Sequence, residues 1–280
     1  SGAESQMIHV YSENAGGGIL QHGVKVSEGE ELEVELWARA RRKPVTVTAS
    51  LSAPGIPSLG SATLEVKEAH WHRATGRIKV GKSHDSAYFC LTIPGDSMIY
   101  IDQVHLRPAN APHVAQALTD SFGKFPCPVL RFPGGCATCT YHWQYGIGPV
   151  HLRPMHDDPV FKYKMHYEFG TDEYLELCAA NKIIPFITLN TSTATPEDAA
   201  AWAAYVRNWY ASRKLPVPSA YFMIGNENYG TWEIGHMTGE MYISNVKAFA
   251  PAVRAAYPEA KIAAIGEPES LPLRNGWNTP

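Results

Sequence analysis

Residues 221–230 read YFMIGNENYG, an apolar run that passes through Gly225 and stops at a polar pair, Asn226 and Glu227. The run carries no alternation, the pattern of a strand buried on both faces, as parallel sheets require. Three other stretches share it: PVLRF (128–132), IIPFITLN (183–190) and KIAAIG (261–266). Helical signals lie between them. Before AYFMIGN (220–226), Thr195 is an N-cap, Pro196 takes the first helical position, and Glu197 and Asp198 suit the N-terminal dipole. Trp202, Tyr205, Val206 and Trp209 then recur at i, i+3, i+4 and i+7, which is one helix face. A shorter helix is expected from Thr171 to Ala180, and another after Thr238 with Tyr242, Val246, Phe249 and Val253 on one side. Strands alternating with helices are βα units, and four of them make half of a (β/α)8 barrel.

Upstream of about Pro108 the period changes. In EELEVELWAR (30–39), Leu32, Val34 and Leu36 point one way and Glu31, Glu33 and Glu35 the other, a strand with one wet face. Val45, Val47, Ala49 and Leu51 repeat the pattern, followed by Ala62, Leu64 and Val66, by Ala87, Phe89, Leu91 and Ile93, and by Ile99 and Ile101. SEGE, APGIPSLG, GKSHDS and PGDS separate these short strands, as in an antiparallel β-sandwich. The fold class expected is therefore a jelly-roll-like β-sandwich over residues 1–108, followed by a partial α/β (β/α)8 TIM barrel over 109–280, with LRPANAPHV (106–114) as linker.

Composition bounds the function. The 280 residues are 45% hydrophobic and 18% charged, enough apolar material for one or two cored domains. A net charge of −3, with Lys and Arg scattered, gives no footprint for nucleic acid or an anionic membrane. No apolar run approaches the roughly 20 residues of a membrane helix. The start, SGAESQMIHV, lacks the basic and apolar regions of a signal peptide, so any export signal is expected to have been removed, with an extracellular location favoured.

In a parallel barrel, chemistry collects where strands finish. RFPGGC, LNTST and GNENYG follow three of the strands here. Glu227 in such a place is a candidate general acid, since partial burial raises a carboxyl pKa toward the value that proton donation near neutrality needs. Asn226 beside it is a candidate ligand for a substrate hydroxyl. The bland alternative pairs Glu227 with an arginine such as Arg131, or has it cap the next turn.

Several separated pieces fall in the order of one family. LRFPGGC (130–136), Trp143 with GIGP (146–149), Arg153-Pro154, FGTDEYLELC (169–178), LNTSTATPEDAAAW (189–202) and IGNENYGTWEIGH (224–236) together resemble the family 51 glycoside hydrolases, chiefly α-L-arabinofuranosidases with some endoglucanases. The front half resembles, more weakly, the carbohydrate-binding sandwich that some members insert into their barrel. The resemblance implies that Glu227 is the acid/base and Asn226 the ligand of the sugar 2-hydroxyl. It implies a retaining mechanism, in which a second carboxylate about 5–5.5 Å away attacks the anomeric carbon. Arg131 is expected to steady carboxylates in the mouth, and Tyr229 and Trp232 to wall a subsite. Cys136 stands where many bacterial members have a sugar-contacting asparagine and plant-type members a cysteine.

The family's nucleophile glutamate lies on the seventh barrel strand. Glu233, Glu240, Glu259, Glu267 and Glu269 are available carboxylates, but none stands on such a strand, and Glu267 would end the fifth. No nucleophile is therefore expected in this chain. The first barrel strand is expected before Ser1. A further polypeptide segment is expected to complete the barrel, and the segment alone to be inactive. The implied activity is removal of α-L-arabinofuranosyl residues from arabinoxylan or arabinan, with no cofactor and no metal. Two alternatives stay open: a non-catalytic carbohydrate-binding or scaffolding protein, and an endo-β-glucanase of the same family. Cys136-Ala-Thr-Cys139 has knuckle or redox spacing, yet no second CxxC completes a zinc site. Buried thiols or one disulfide are the simpler reading. Asn190-Thr191-Ser192 is a glycosylation sequon at a strand end, where a glycan would obstruct the mouth.

Overall fold

A computed structural model describes residues 5–109, 116–125 and 127–266. These divide into two compact units, one ending and the other beginning near residue 111.

The first unit is a sandwich of two antiparallel sheets. Its strands are β1 (Gln6–Val10), β2 (Gly17–Val26), β3 (Glu31–Ala40), β4 (Val45–Ala53), β5 (Ile56–Val66), β6 (His72–Lys79), β7 (His84–Ile93) and β8 (Ser97–Pro108). One sheet runs β1-β8-β3-β6 and the other β2-β7-β4-β5. The alternating residues of EELEVELWAR form β3, and Val34 and Leu36 share one aliphatic core with Val47, Ala49 and Leu51 of the facing sheet. Each fully buried side chain of this kind contributes about 1.5–3 kcal/mol.

Three details differ from the sequence reading. Glu35 is 5% exposed rather than wet, because Arg73 and Arg107 close over it at 2.8 and 3.4 Å. Of APGIPSLG only a tight turn remains, since β5 starts at Ile56. Pro57 is tolerated there because β5 is an edge strand with a register break between Leu51 and Ala53 of its partner. Leu106–Pro108 belong to β8, in register with Leu32–Val34 of β3, so the linker cannot begin at Leu106. Beyond Ala109 the linker, residues 110–114, lies outside the described residues, as do Glu267 and Glu269.

The second unit contains α1 (Gln116–Lys124), β9 (Val129–Phe132), a hairpin of β10 (His156–Asp157) and β11 (Lys164–Met165), α2 (Thr171–Asn181), β12 (Ile184–Leu189), α3 (Pro196–Ser212), β13 (Tyr221–Ile224), α4 (Gly239–Ala256) and β14 (Lys261–Ala264). Strands β9, β12, β13 and β14 form one parallel sheet in the spatial order β14-β13-β12-β9. Thr195 caps α3 by accepting from Asp198 N, and Thr238 caps α4 by accepting from Met241 N. Register divides the sheet's two faces. Phe132, Ile187, Phe222 and Ile262 stand in one row and belong to the core that the helices cover. Arg131, Phe186, Tyr221 and Lys261 stand in the opposite row, half-buried or exposed. A parallel sheet dressed on one face only, its other face partly apolar, is what the fold leaves within the described residues.

Candidate active site

The site is built at the carboxyl ends of β9, β12 and β13. Gly225, the first residue beyond β13, turns the chain at φ +81°, and a Cβ there would run into the Asn228 side chain and approach Thr191 Oγ1 at 2.8 Å. Only glycine supplies both the dihedral and the space. Asn226 follows with 3% exposure, and Glu227 is half-buried at φ +45°, a left-handed conformation uncommon for a non-glycine residue. Such a backbone is held only when its surroundings enforce it. Four main-chain bonds do so: Gly230 N donates to Glu227 O at 2.7 Å, Glu233 N to Gly230 O at 3.1 Å, His236 N to Glu233 O at 3.1 Å and Met237 N to Asn228 O at 2.9 Å.

Arg131, at the end of β9, does not pair with Glu227. Its Nε donates to Thr188 Oγ1 at 2.9 Å and its Nη2 to Asn226 Oδ1 at 2.5 Å. Among the described residues it grips a hydroxyl and an amide and meets no carboxylate directly. Glu227 accepts one hydrogen bond from a neutral donor, the Trp232 indole Nε1 at 3.1 Å, and forms no salt bridge among the described residues. Trp232 is 52% exposed, whereas Tyr229 is 5% exposed and meets it edge-on at 6.1 Å, so the two candidate wall residues differ: one faces outward and the other supports it from beneath.

Cys136 and Cys139 lie on a 3-10 turn after the glycines of PGG. All five cysteines are free. Cys139 donates to Glu233 Oε2 at 3.1 Å, and burial pushes its thiol up to about 11. Cys136 is half-buried. A hydrogen bond to Glu233 is the first cause raising its pKa, with desolvation second and the charge of Glu227 a lesser contribution. Both sulfurs thus stay protonated at neutral pH. Among the described residues no group of three or more His, Cys, Asp or Glu converges as metal ligands would. The sequon asparagine, Asn190, is 5% exposed and fully engaged. Its Nδ2 donates to Tyr141 O and Thr193 Oγ1, and its Oδ1 accepts from Ser192 N and Thr193 N.

In the sequence, Glu233 is one of several available carboxylates. The fold makes it the buried partner of Asn226, whose Nδ2 donates to Glu233 Oε1 at 3.0 Å. A glutamate seven positions beyond the asparagine in a loop has no periodic signature, and only its place in the TWE segment beside the quoted motif marks it.

At the end of β13 a half-buried carboxylate thus stands beside an oriented amide and an exposed indole. The chain belongs to the alpha-L-arabinofuranosidase 1 domain family, whose model matches residues 122–275. A probable alpha-L-arabinofuranosidase C of Aspergillus fumigatus is 33% identical over 150 residues, covering 50% of this chain and 30% of that protein. The chain therefore spans about a third of the length of the curated relatives it matches. Among solved structures, a family 51 alpha-L-arabinofuranosidase, AbfB of Bifidobacterium longum, is 27% identical with a TM-score of 0.51, over 56% of this chain and 33% of its own. The arabinose-bound α-L-arabinofuranosidase MgGH51 superposes over 93% of this chain and 48% of its own, with a TM-score of 0.66 and 16% identity, a likeness of fold.

Proposed function

We propose that this chain carries the acid/base half of a retaining α-L-arabinofuranosidase acting on arabinose-bearing plant cell-wall polysaccharides such as arabinoxylan and arabinan. Glu227 protonates the departing glycosidic oxygen and then, as carboxylate, activates the water that releases the sugar. Asn226 holds the 2-hydroxyl, and the exposed Trp232 walls the subsite with Tyr229 behind it. Cys136 lines the same mouth. One observation carries the reading: Arg131 is spent on Asn226 and Thr188, which leaves the Glu227 carboxylate with a single neutral donor, Trp232, among the described residues. A carboxylate locked by a guanidinium would stay ionised and could not donate a proton near neutrality.

The nucleophile and the remaining strands come from a further polypeptide segment. The support for this is the sheet itself, whose row Arg131, Phe186, Tyr221 and Lys261 has no covering layer among the described residues, where a closed barrel would bury it. The sandwich is a carbohydrate-binding-like module, a reading supported by the outward row of β3 and β8, where Arg39 lies 4.6 Å from the Tyr100 ring and 5.7 Å from that of Trp71.

The test uses the enzyme with its complete barrel. Glu227→Gln is expected to lower turnover of arabino-oligosaccharides by about 10²–10⁴-fold, the range of a lost general acid. Nitrophenyl arabinofuranoside, whose leaving group needs little protonation, suffers less in the first step. Azide should then restore turnover, giving a glycosyl azide that keeps the substrate's anomeric configuration. Retardation in an arabinoxylan gel without any hydrolysis by the wild type would instead favour a binding protein, and turnover confined to β-glucan an endoglucanase.

A further inference from the structure

Residues 232 and 233 hold residues 227 and 226. The Trp232 indole reaches the Glu227 carboxylate, and the Glu233 carboxylate reaches the Asn226 amide. Glu233 is 4% exposed, and the side chains that hydrogen-bond to it among the described residues are neutral donors: the Asn226 amide at 3.0 Å and the Cys139 thiol at 3.1 Å. Burying a carboxylate is costly, so its presence calls for a reason that packing does not give. The loop does not need it for shape, since main-chain bonds from Gly230, Glu233, His236 and Met237 already fold the segment.

The reason lies in the symmetry of an amide. The side chain of Asn226 can turn over and exchange its oxygen with its nitrogen at little intrinsic cost. With the Arg131 guanidinium on one side and a carboxylate on the other, a single orientation pairs every donor with an acceptor. The reverse would set N–H against guanidinium and oxygen against carboxylate. We infer that Glu233 is a positioning residue that locks the Asn226 amide in the orientation presented to a substrate hydroxyl. The inference rests on the assignment of Asn226 as a sugar ligand. It extends that reading to a buried residue that acts through the amide.

A double-mutant cycle separates this role from a merely structural one. In the full-length enzyme, kcat/KM on 4-nitrophenyl α-L-arabinofuranoside is compared for wild type, Glu233→Met, Asn226→Ala and the double variant. Glu233→Met is expected to lose about 30-fold, the scale of one charge-assisted hydrogen bond. The double variant should then fall within about threefold of Asn226→Ala alone, because once the amide is gone nothing remains to orient. Losses that multiply overturn the inference and leave the proposed function standing. Absence of turnover in the wild type overturns both. If Glu233→Met does not fold, Glu233→Gln decides. Its side-chain oxygen still accepts from Asn226 while its NH2 faces the Cys139 sulfur, so it should keep at least about a third of wild-type kcat/KM. A greater loss in that variant, with its thermal unfolding unchanged, defeats the acceptor role.

Discussion

The sandwich buries almost nothing able to hydrogen-bond, whereas the parallel unit fills its interior with hydroxyls, indoles and an arginine. In the first, Val34, Leu36, Val47, Leu51, Leu64, Ile78 and Leu91 meet as an aliphatic core with Phe89 its one aromatic ring. In the second, Tyr141, Tyr174, Tyr210, Tyr242, Tyr257, Trp202 and Trp209 are core residues, and Arg153 is 2% exposed. The difference follows from how each architecture disposes of its main chain. Antiparallel neighbours satisfy one another up to their turns. In the parallel unit some main-chain groups of the strands and of their ends are met by side chains instead. Tyr174 of α2 accepts from Phe186 N and donates to Leu130 O, both at 2.7 Å, so one hydroxyl ties β12 to β9. Tyr242 of α4 repeats the device at the other side of the sheet, accepting from Ile265 N and donating to Ile224 O, both at 2.8 Å.

The contrast predicts its largest effect at Arg153. Its guanidinium donates to Glu173 Oε1 at 2.8 Å, to Tyr167 O at 2.8 Å and to Gly148 O at 2.8 and 3.1 Å, with both charged side chains almost wholly buried. Arg153→Met strands the Glu173 charge and unties the irregular segment between β9 and α2. The expected cost is about 3–5 kcal/mol, read from the denaturant midpoint. A cost under about 1 kcal/mol would mean that the polar interior is ornamental and that the two cores obey one rule.

What the sequence shows of this divides along the same line. The aliphatic core is written in period-two strands such as EELEVELWAR, because burial on one face of a pleat leaves a local trace. The parallel strands and α3 are legible too, the former as apolar runs and the latter through Thr195-Pro196 and the stripe Trp202, Tyr205, Val206 and Trp209. Arg153 is visible only as part of an Arg-Pro motif, since its partners at 148, 167 and 173 obey no period. Glu35 reads as a wet residue for a related reason, as the arginines that cover it come from β6 and β8. In the candidate site, the dipeptide Asn226-Glu227 stands out as a polar stop on an apolar run. The left-handed backbone at Glu227 and the link from Asn226 to Glu233 and Cys139 exist only once the loop has folded. Periodicity records which face is buried, and tertiary hydrogen bonds leave no such record.

The next effect is smaller. Tyr174→Phe and Tyr242→Phe keep ring and volume and remove one hydroxyl each, which costs Leu130 O or Ile224 O a partner inside the unit. Each is expected to lower stability by about 1–2 kcal/mol. A slowing of amide exchange at Phe186 or Ile265 in the corresponding variant would contradict the bridging role, because loss of the acceptor should expose those N–H groups.

The smallest effect belongs to the sandwich and sharpens the comparison from its other side. Lys43 reaches Asp96 at 3.2 Å, but the two side chains are 57% and 54% exposed. Water solvates both charges whether or not they meet, and ordering the lysine costs rotamer entropy of similar size. Lys43→Ala is therefore expected to shift stability by less than about 0.5 kcal/mol, and the shift should shrink further in 1 M salt, where screening acts over about 3 Å. Asp96 is the wrong partner to remove, since it sits at φ +48°, where alanine would add backbone strain to the reading. A loss of 2 kcal/mol or so from Lys43→Ala would place a structural ion pair on the sandwich, and the separation of an apolar core from a hydrogen-bonded one would no longer follow the boundary between the two units.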